Sequence, residues 1–147
     1  MVTVIIGADH AGVAMKKFVI SLLKGQDLEY LDLGSFSANN EDDYPAITER
    51  VCKEVLKDVK HRVGILVCGS GIGVCIAANR FRGIRAALCW NVEAAYLSRK
   101  DDHVNVLCLA GQIMSEEQVE GIVKTWFTTP AADAERYVRR IIELDRL

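Results

Sequence analysis

The sequence predicts an α/β protein with a three-layer αβα sandwich, in which helices cover both faces of a five-stranded parallel sheet and a C-terminal helix ends the chain. Short β-branched and aliphatic runs alternate with longer stretches of helical period, and this alternation is typical of parallel strands joined by helical crossovers. The longest gap between elements, residues 34–43, is too short for an interdomain linker. Residues 1–147 are therefore predicted to form one Rossmann-like domain.

Five short apolar runs provide the predicted strands. The third is apolar throughout, as expected for a central strand that is covered on both faces. The others are rich in valine, isoleucine and leucine, and each is bounded by glycine or polar residues. In chain order, the predicted strands are residues 2–6, 28–33, 63–67, 84–89 and 104–109.

Helical periodicity and end signals define the predicted helices. In the first, which begins near Val13, Lys16 is assigned to the solvated side, and Gly25 ends the helix in a C′-like position. Pro45 suits the first turn of the second helix. The remaining predicted helices are a short one that ends near Arg80, one over 92–100, one that starts at Ser115, and a last one over 131–147.

Composition excludes several classes of protein. Eighteen basic and twenty acidic residues give a formal charge of −2, which is too small for a basic nucleic-acid surface. Five cysteines without a Cys-x-x-Cys pair argue against a disulfide scaffold and a zinc ribbon. We see neither a basic leader nor an apolar run of membrane-spanning length, and we therefore expect a cytoplasmic protein that binds neither membranes nor nucleic acids. A mean hydropathy of +0.14 favours an oligomer interface.

Ionisable residues adjoin several of the predicted strands. Because ligands of open α/β sheets bind outside the carboxyl ends of the strands, we expect four loops to meet at that edge. Their residues are Asp9 and His10 after strand one, Tyr44 after strand two, Cys68 after strand three, and residues 101–103 before strand five.

The loop over 69–73, Gly-Ser-Gly-Ile-Gly, is the strongest local motif. It joins a buried strand to a helix, so its backbone amides and the helix N-terminus favour an anion site. A tight turn with glycines for packing alone is the alternative. Val74 and Cys75 stand where a P-loop has lysine and serine or threonine, and the third glycine comes one residue too early for dinucleotide binding.

Cys68 introduces this loop, where the neighbouring amides favour its thiolate. Nucleophile and general base are the two roles open to it, although a cysteine phosphatase would need an arginine where Val74 stands. On the last helix, Arg136 and Arg140 project together one turn apart, either as a phosphate clamp or as a plain solvated face. The other four cysteines, Cys52, Cys75, Cys89 and Cys108, are assigned to the core.

Taken together, these motifs resemble those of the ribose-5-phosphate isomerase type B family, also called the ribose/galactose phosphate isomerase family. The resemblance runs from the first strand to about Ile141, in order and without large gaps. The motifs that carry it are Gly7-Ala-Asp-His-Ala-Gly, Asp43-Tyr-Pro, Cys68-Gly-Ser-Gly-Ile-Gly, Ala77-Ala-Asn-Arg, Gly83-Ile-Arg-Ala and Asn105-Val-Leu.

The resemblance implies an aldose–ketose isomerase that interconverts ribose 5-phosphate and ribulose 5-phosphate, a step of the pentose phosphate pathway, without metal or cofactor. It also implies a homodimer or tetramer whose active sites are shared between subunits. Cys68 would be the proton-transferring base, and Asp9 would assist ring opening. The enediolate would be stabilised by Ser70 and by the backbone of Gly69, Gly71, Ile72 and Gly73. Further substrate contacts would come from His10, Tyr44, Asp102 and Gln112, and from Arg136 and Arg140 of the partner subunit.

Three positions depart from the family pattern. The helix before strand five commonly ends in Arg-x-His-Asn, whereas this chain has Arg-Lys-Asp-Asp-His over 99–103. Ring opening therefore falls to Asp101, Asp9 or His103, and we expect His103 to share it. Gln112 stands where an arginine often holds the phosphate, and Tyr137 stands where histidine is common.

Two other functions remain open. One is isomerisation of a six-carbon phosphosugar, allose or galactose 6-phosphate, and the other is phosphosugar binding with weakened catalysis. A response-regulator receiver does not fit, because it needs an aspartate where Cys68 stands and a lysine near Ala110.

Overall fold

The structure, a computed structural model, describes residues 1–39 and 41–147; Asn40, in the polar loop predicted over 34–43, lies outside the described residues. The strands are β1 (Thr3–Ala8), β2 (Glu29–Asp32), β3 (Arg62–Cys68), β4 (Ala86–Leu88) and β5 (Val106–Ala110). The helices are α1 (Val13–Gly25), α2 (Tyr44–Leu56), α3 (Ile72–Ala78), α4 (Val92–Lys100), α5 (Glu116–Thr128) and α6 (Glu135–Leu144), and a 3-10 turn (His10–Gly12) precedes α1.

All five strands are parallel, in the order β2-β1-β3-β5-β4 across the sheet. From β1 the chain adds β2 on one side and then β3 on the other, so the strand order reverses between β1 and β3. Open α/β sheets bind their ligands at such a reversal, outside the carboxyl ends of the strands. The predicted fold class, a parallel sheet between two helical layers, is confirmed.

Alternate residues of the central strands enter two separate cores. Ile6 and Leu107 belong to one core, which packs against α1, α4 and α5 and includes the buried Trp126. Ile5 and Leu66 belong to the other, which packs against α2 and α3. Because helices cover both faces, β3 is apolar and buried at every position after Arg62.

Helix α6 differs from the other helices, since none of its residues is buried. It is tethered near both ends: the Ala132 amide donates to the Lys100 carbonyl at 2.9 Å, and the Arg85 guanidinium donates to the Asp145 carboxylate at 2.8 Å. Val138 and Ile142, one turn apart, are 38% and 48% exposed. Across the described ranges, no helix is long and apolar enough to pass through a membrane.

Two predictions about α1 are wrong. Lys16 is not solvated: it is 1% exposed, and its Nζ lies 2.5 Å from Asp32 Oδ1 and 4.8 Å from the ring centre of Phe36. Gly25 ends the helix but does not take the left-handed conformation of a C′ residue. Asp27 does so, at φ +52, two residues later.

Candidate active site

The carboxyl ends of β1 and β3 bring Asp9 and Cys68 to the same end of the sheet. We call this end, where all five parallel strands finish, the carboxyl edge. Ala8 is in register with Val67, and the Asp9 amide donates to the Val67 carbonyl at 3.2 Å. Asp9 is 7% exposed and Cys68 is 4% exposed. The prediction that these two loops meet at the carboxyl edge is confirmed.

The loop after β3 wraps around the Cys68 sulfur. Gly71 has a left-handed backbone, with φ +72, and its amide donates to Cys68 Sγ at 3.1 Å. A Cβ atom at position 71 would lie 2.5 Å from Leu88 Cδ1, so no larger residue fits there without a shift. Ser70 Oγ accepts from the Ile72 amide at 3.2 Å and so satisfies the first amide of α3. The loop therefore supplies the sulfur with a backbone donor.

Two side chains pack against this loop. The Tyr44 ring lies over Gly73, where a Cβ atom would come within 2.8 Å of Tyr44 Cζ. Gln112 lies against Gly69, where a Cβ atom would come within 2.8 Å of Gln112 Oε1, and the Gln112 amide donates to the Gly69 carbonyl at 3.0 Å. Both side chains are exposed, so they border the open side of the loop.

Asp9 is fixed in place by the 3-10 turn that follows it. Its Oδ1 accepts from the amides of Ala11 at 3.0 Å and Gly12 at 3.1 Å. The turn approaches β3 so closely that a Cβ atom at Gly12 would lie 2.4 Å from the Val67 carbonyl oxygen. His10 is exposed, and its Nδ1 lies 3.3 Å from the Asp42 carbonyl oxygen.

Residues 101–103 lie at the opposite edge of the sheet. Gly64 pairs with Val106 and Cys68 with Ala110, so whatever precedes β5 lies at the amino ends of the strands. Five strand residues alone separate the two edges by roughly 13 Å. The prediction that these residues join Cys68 within one chain is wrong, because a residue before a parallel strand cannot lie at the strand's carboxyl end. The prediction fails for Asp101, Asp102 and His103.

These three residues instead adjoin the segment that leads into α6. His103, which has a left-handed φ of +48, places Nε2 2.8 Å from the Ala132 carbonyl oxygen. Asp101 Oδ1 is buried, 3.6 Å from Lys100 Nζ, and Asp102 is exposed. They form a second group of candidate site residues at the end of the sheet where the strands begin, which we call the amino edge.

The predicted arginines of α6 belong to this second group. Arg136 donates from Nη2 to Tyr137 Oη at 2.8 Å, and its Cζ lies 4.7 Å from the centre of that ring. Arg140 follows one turn later and is exposed. Within the described ranges neither has a carboxylate partner, whereas Arg139 pairs with Glu135 at 3.0 Å. Both arginines therefore carry uncompensated charge.

A cavity of about 730 Å³ also lies at the amino edge, between the end of α6 and the loop before β4. It lies away from Cys68, and its lining includes Asp102, Leu144 and Asp145. The amino edge is therefore concave beside α6, whereas Tyr44 and Gln112 border an open surface at the carboxyl edge.

Lys16 supports the site and was missed by sequence reasoning. Its partner oxygen, Asp32 Oδ1, also accepts from the Gly34 amide at 2.9 Å, and the Gly34 carbonyl accepts from the Ala8 amide at 2.7 Å. These contacts hold the loop after β2 against the end of β1, directly before the candidate site. A signal was present, because Lys16 lies three residues before the buried Val19 and so on its side of the helix.

The four remaining cysteines differ from one another. Burial raises the pKa of Cys52 to about 12 and also raises the pKa values of Cys89 and Cys108. The core assignment is confirmed for these three. Cys75 packs against the second core but is only half-buried on α3, and its pKa is lowered to about 7, chiefly by a hydrogen bond from the Cys108 thiol.

Comparison with known proteins finds one family that matches nearly the whole chain. Residues 4–144 match the Ribose/Galactose Isomerase family. A probable ribose-5-phosphate isomerase B of Mycoplasma genitalium is 36% identical over 143 residues, which cover 97% of this chain and 93% of the relative.

Two solved structures share the fold. The ribose 5-phosphate isomerase of Thermotoga maritima is 39% identical, with a TM-score of 0.93 and 99% of each chain covered. The ribose-5-phosphate isomerase B of Mycoplasma genitalium, solved with bound ribulose-5-phosphate, is 35% identical, with a TM-score of 0.93. The match covers 98% of this chain and 94% of the Mycoplasma genitalium chain.

Proposed function

The chain belongs to the ribose/galactose isomerase family, and from this premise we propose that it interconverts ribose 5-phosphate and ribulose 5-phosphate, with Cys68 as the base. Membership, together with relatives named ribose-5-phosphate isomerase B, makes the chain a sugar-phosphate isomerase. The bound ribulose-5-phosphate in the Mycoplasma genitalium structure supports a pentose phosphate as substrate. We assign the reaction to the cytoplasm. Its chemistry is assigned to side chains and backbone amides, without a metal or cofactor.

In the proposed reaction, the Cys68 thiolate removes the C2 proton of the open-chain aldose. The electron pair of that bond forms the C1–C2 double bond of an enediolate, and the negative charge moves to O1. The thiol then returns the proton to C1, while a proton moves from O2 to O1 and leaves the carbonyl at C2. The contact that carries this proposal is the donation from the Gly71 amide to Cys68 Sγ at 3.1 Å, because a backbone donor stabilises negative charge on sulfur.

The glycine loop is assigned to the enediolate oxygens. Amides in the first turn of a helix have no partner within the helix, and Gly73 occupies that position in α3. Preorganised amides of this kind stabilise charge as it develops in a transition state. Ser70 and the backbone of Gly69 are assigned to the same oxygens. The amides of Gly71 and Ile72 already donate to Cys68 Sγ and Ser70 Oγ, so their part is to hold those two groups in place.

The remaining residues of the carboxyl edge are assigned to the sugar. Asp9 accepts both of its hydrogen bonds at Oδ1, so Oδ2 is assigned to a sugar hydroxyl and to ring opening. His10, Tyr44 and Gln112 are exposed around the same opening and are assigned to substrate contacts.

The second group of residues completes the site from another copy of the chain. Arg136 and Arg140 are assigned to the phosphate, Asp102 to a substrate contact, and Asp101 and His103 to ring opening. Since His103 Nε2 already binds the Ala132 carbonyl, the proton for ring opening would come from Nδ1.

Apolar surfaces on both edges support a homodimer. The unburied helix α6 presents Val138 and Ile142, and Ile72, Trp90 and Ile113 are each more than half exposed around the glycine loop. Isologous contact in a two-fold dimer would cover both surfaces and bring Arg136 and Arg140 to the partner's loop.

The activity is tested by following the conversion of ribose 5-phosphate to ribulose 5-phosphate with purified protein. Allose and galactose 6-phosphates serve as comparison substrates. Preferred turnover of the five-carbon sugar supports the proposal. A higher kcat/KM on a six-carbon sugar, or binding without turnover, contradicts it.

The shared site is tested by mixing Cys68→Ala with Arg136→Ala/Arg140→Ala under conditions that exchange subunits. The assay uses substrate near the wild-type KM, where each variant alone has little activity. Half of the dimers are then mixed, and one of the two sites in each combines an intact Cys68 with intact arginines. We expect about a quarter of the wild-type activity. No recovery, with exchange verified by mass, contradicts a site built from two chains.

A further inference from the structure

The end of α4 and the start of α6 meet in a cluster of fixed geometry. The Ala132 amide donates to the Lys100 carbonyl at 2.9 Å, and His103 Nε2 lies 2.8 Å from the Ala132 carbonyl oxygen. Arg99 holds the same turn from the inner side, because its Nη1 donates to the Val104 carbonyl at 2.6 Å. Lys100 therefore keeps a defined position beside the first turn of α6.

The Tyr137 ring of α6 contacts two cations. Arg136 stacks on it at 4.7 Å and donates to its hydroxyl oxygen. Lys100 Nζ lies 5.9 Å from the centre of the same ring and 5.4 Å from the centre of the Tyr96 ring. Cations at these distances from aromatic rings are stabilised by the quadrupole of the ring. The rings therefore offset the repulsion between two positive charges.

One carboxylate compensates part of this charge. Asp101 Oδ1 forms an ion pair with Lys100 Nζ at 3.6 Å, whereas Arg136 has no acidic partner in the described part of the chain. Asp101 raises the pKa of Lys100, with smaller contributions from Tyr137 and Tyr96, so the ammonium is charged at neutral pH. The side chain of Lys100 is only 35% exposed. One carboxylate thus faces two cations, and the cluster keeps a net positive charge.

We propose that Lys100 is a third phosphate-binding cation beside Arg136 and Arg140, and that Tyr137 is a positioning residue that holds Arg136 toward the same anion. The inference rests on the proposed function, in which α6 binds the phosphate of a phosphosugar. A phosphate dianion is bound best by several cations, with guanidinium forks for bidentate contacts and an ammonium as a point charge.

The test compares Lys100→Met with Lys100→Arg, using ribose 5-phosphate as substrate and inorganic phosphate as competitive inhibitor. We expect Lys100→Met to raise KM and the phosphate Ki in parallel by about tenfold, with kcat changed by less than about twofold. Lys100→Arg should restore both constants.

Tyr137→Phe, which keeps the ring and removes the hydroxyl oxygen that accepts from Arg136, should raise both constants by about threefold. Lys124→Met is the matched control, since that ammonium pairs with Glu120 on α5 at 2.5 Å, and it should change neither constant.

Unchanged KM and Ki in Lys100→Met overturn the proposal, as does a fall in kcat alone. A Lys100→Arg variant as defective as Lys100→Met also overturns it, because the charge would then not be the operative property. If the wild-type protein does not convert ribose 5-phosphate, the proposed function fails instead. Calorimetric titration with inorganic phosphate then decides the role of Lys100, since it needs no turnover.

Discussion

The two edges of the sheet carry different halves of the candidate site and are built in opposite ways. At the carboxyl edge, Asp9 and Cys68 are nearly buried and held by backbone amides at 3.0 to 3.1 Å. At the amino edge, Arg136 and Arg140 stand on a helix that buries none of its residues. Reaction chemistry requires precise positions, which buried strand ends provide. Phosphate binding depends mainly on charge, which an exposed helix can supply.

The largest expected effect is on kcat, and it distinguishes Cys68 at the carboxyl edge from a cysteine of the core. Cys68→Ala should lower kcat by roughly 10³-fold, the usual scale for loss of a general base, with a loss of stability in urea similar to that of a core cysteine, because Cys68 lies in the same core cluster. Cys52→Ala is the control, because Cys52 is wholly buried on α2 and burial holds its pKa near 12. It should lose some stability and keep its activity. Cys68→Ala with more than about a tenth of wild-type kcat would contradict the assignment of the base.

A smaller effect tests whether the carboxyl edge depends on backbone geometry. Gly71→Ala should lower the free energy of unfolding by about 1–3 kcal/mol, because a left-handed alanine is strained and its Cβ would meet Leu88. Gly25→Ala, at the end of α1 with no atom within 4 Å of the new Cβ, should instead stabilise by about 0.5 kcal/mol. Denaturant unfolding measures both changes. Equal changes in the two variants would contradict a conformational requirement at Gly71.

The smallest effect belongs to the exposed edge. Arg140→Gln should raise the KM for ribose 5-phosphate by about tenfold, since it removes a charged contact to phosphate, and it should leave the unfolding curve unchanged. Arg139→Gln provides the comparison on the same helix, because Arg139 pairs with Glu135. Steady-state kinetics of both variants decide the matter. Equal KM values would remove Arg140 from the phosphate site.

The sequence predicted the carboxyl edge well because its elements are local. A buried strand, three spaced glycines and a following helix place Cys68 and its loop together whatever the strand order. The meeting of Asp9 with Cys68 needed only that β1 and β3 be parallel neighbours. The contact between Tyr44 and Gly73, by contrast, joins two helices, and the sequence predicted only that both residues lie near the same opening.

Two predictions failed for different physical reasons, one at the amino edge and one beside the carboxyl edge. Residues 101–103 were placed by residue type, although the direction of β5 puts them at its amino end. Lys16 was assigned to solvent by its charge, yet a buried lysine is tolerated where it pairs with a carboxylate, as here with Asp32. Periodicity around Val19 favoured the buried side and should have outweighed the residue type.

Cys75 affects how this protein can be studied with alkylating reagents. Its pKa of about 7 means that a substantial fraction is thiolate at neutral pH, and thiolates are the species that iodoacetamide attacks. Loss of turnover after such treatment would therefore not distinguish modification of Cys75, next to the glycine loop, from modification of Cys68. A Cys75→Ala background removes this ambiguity, because burial keeps Cys52, Cys89 and Cys108 protonated, and any remaining inactivation is then attributable to Cys68.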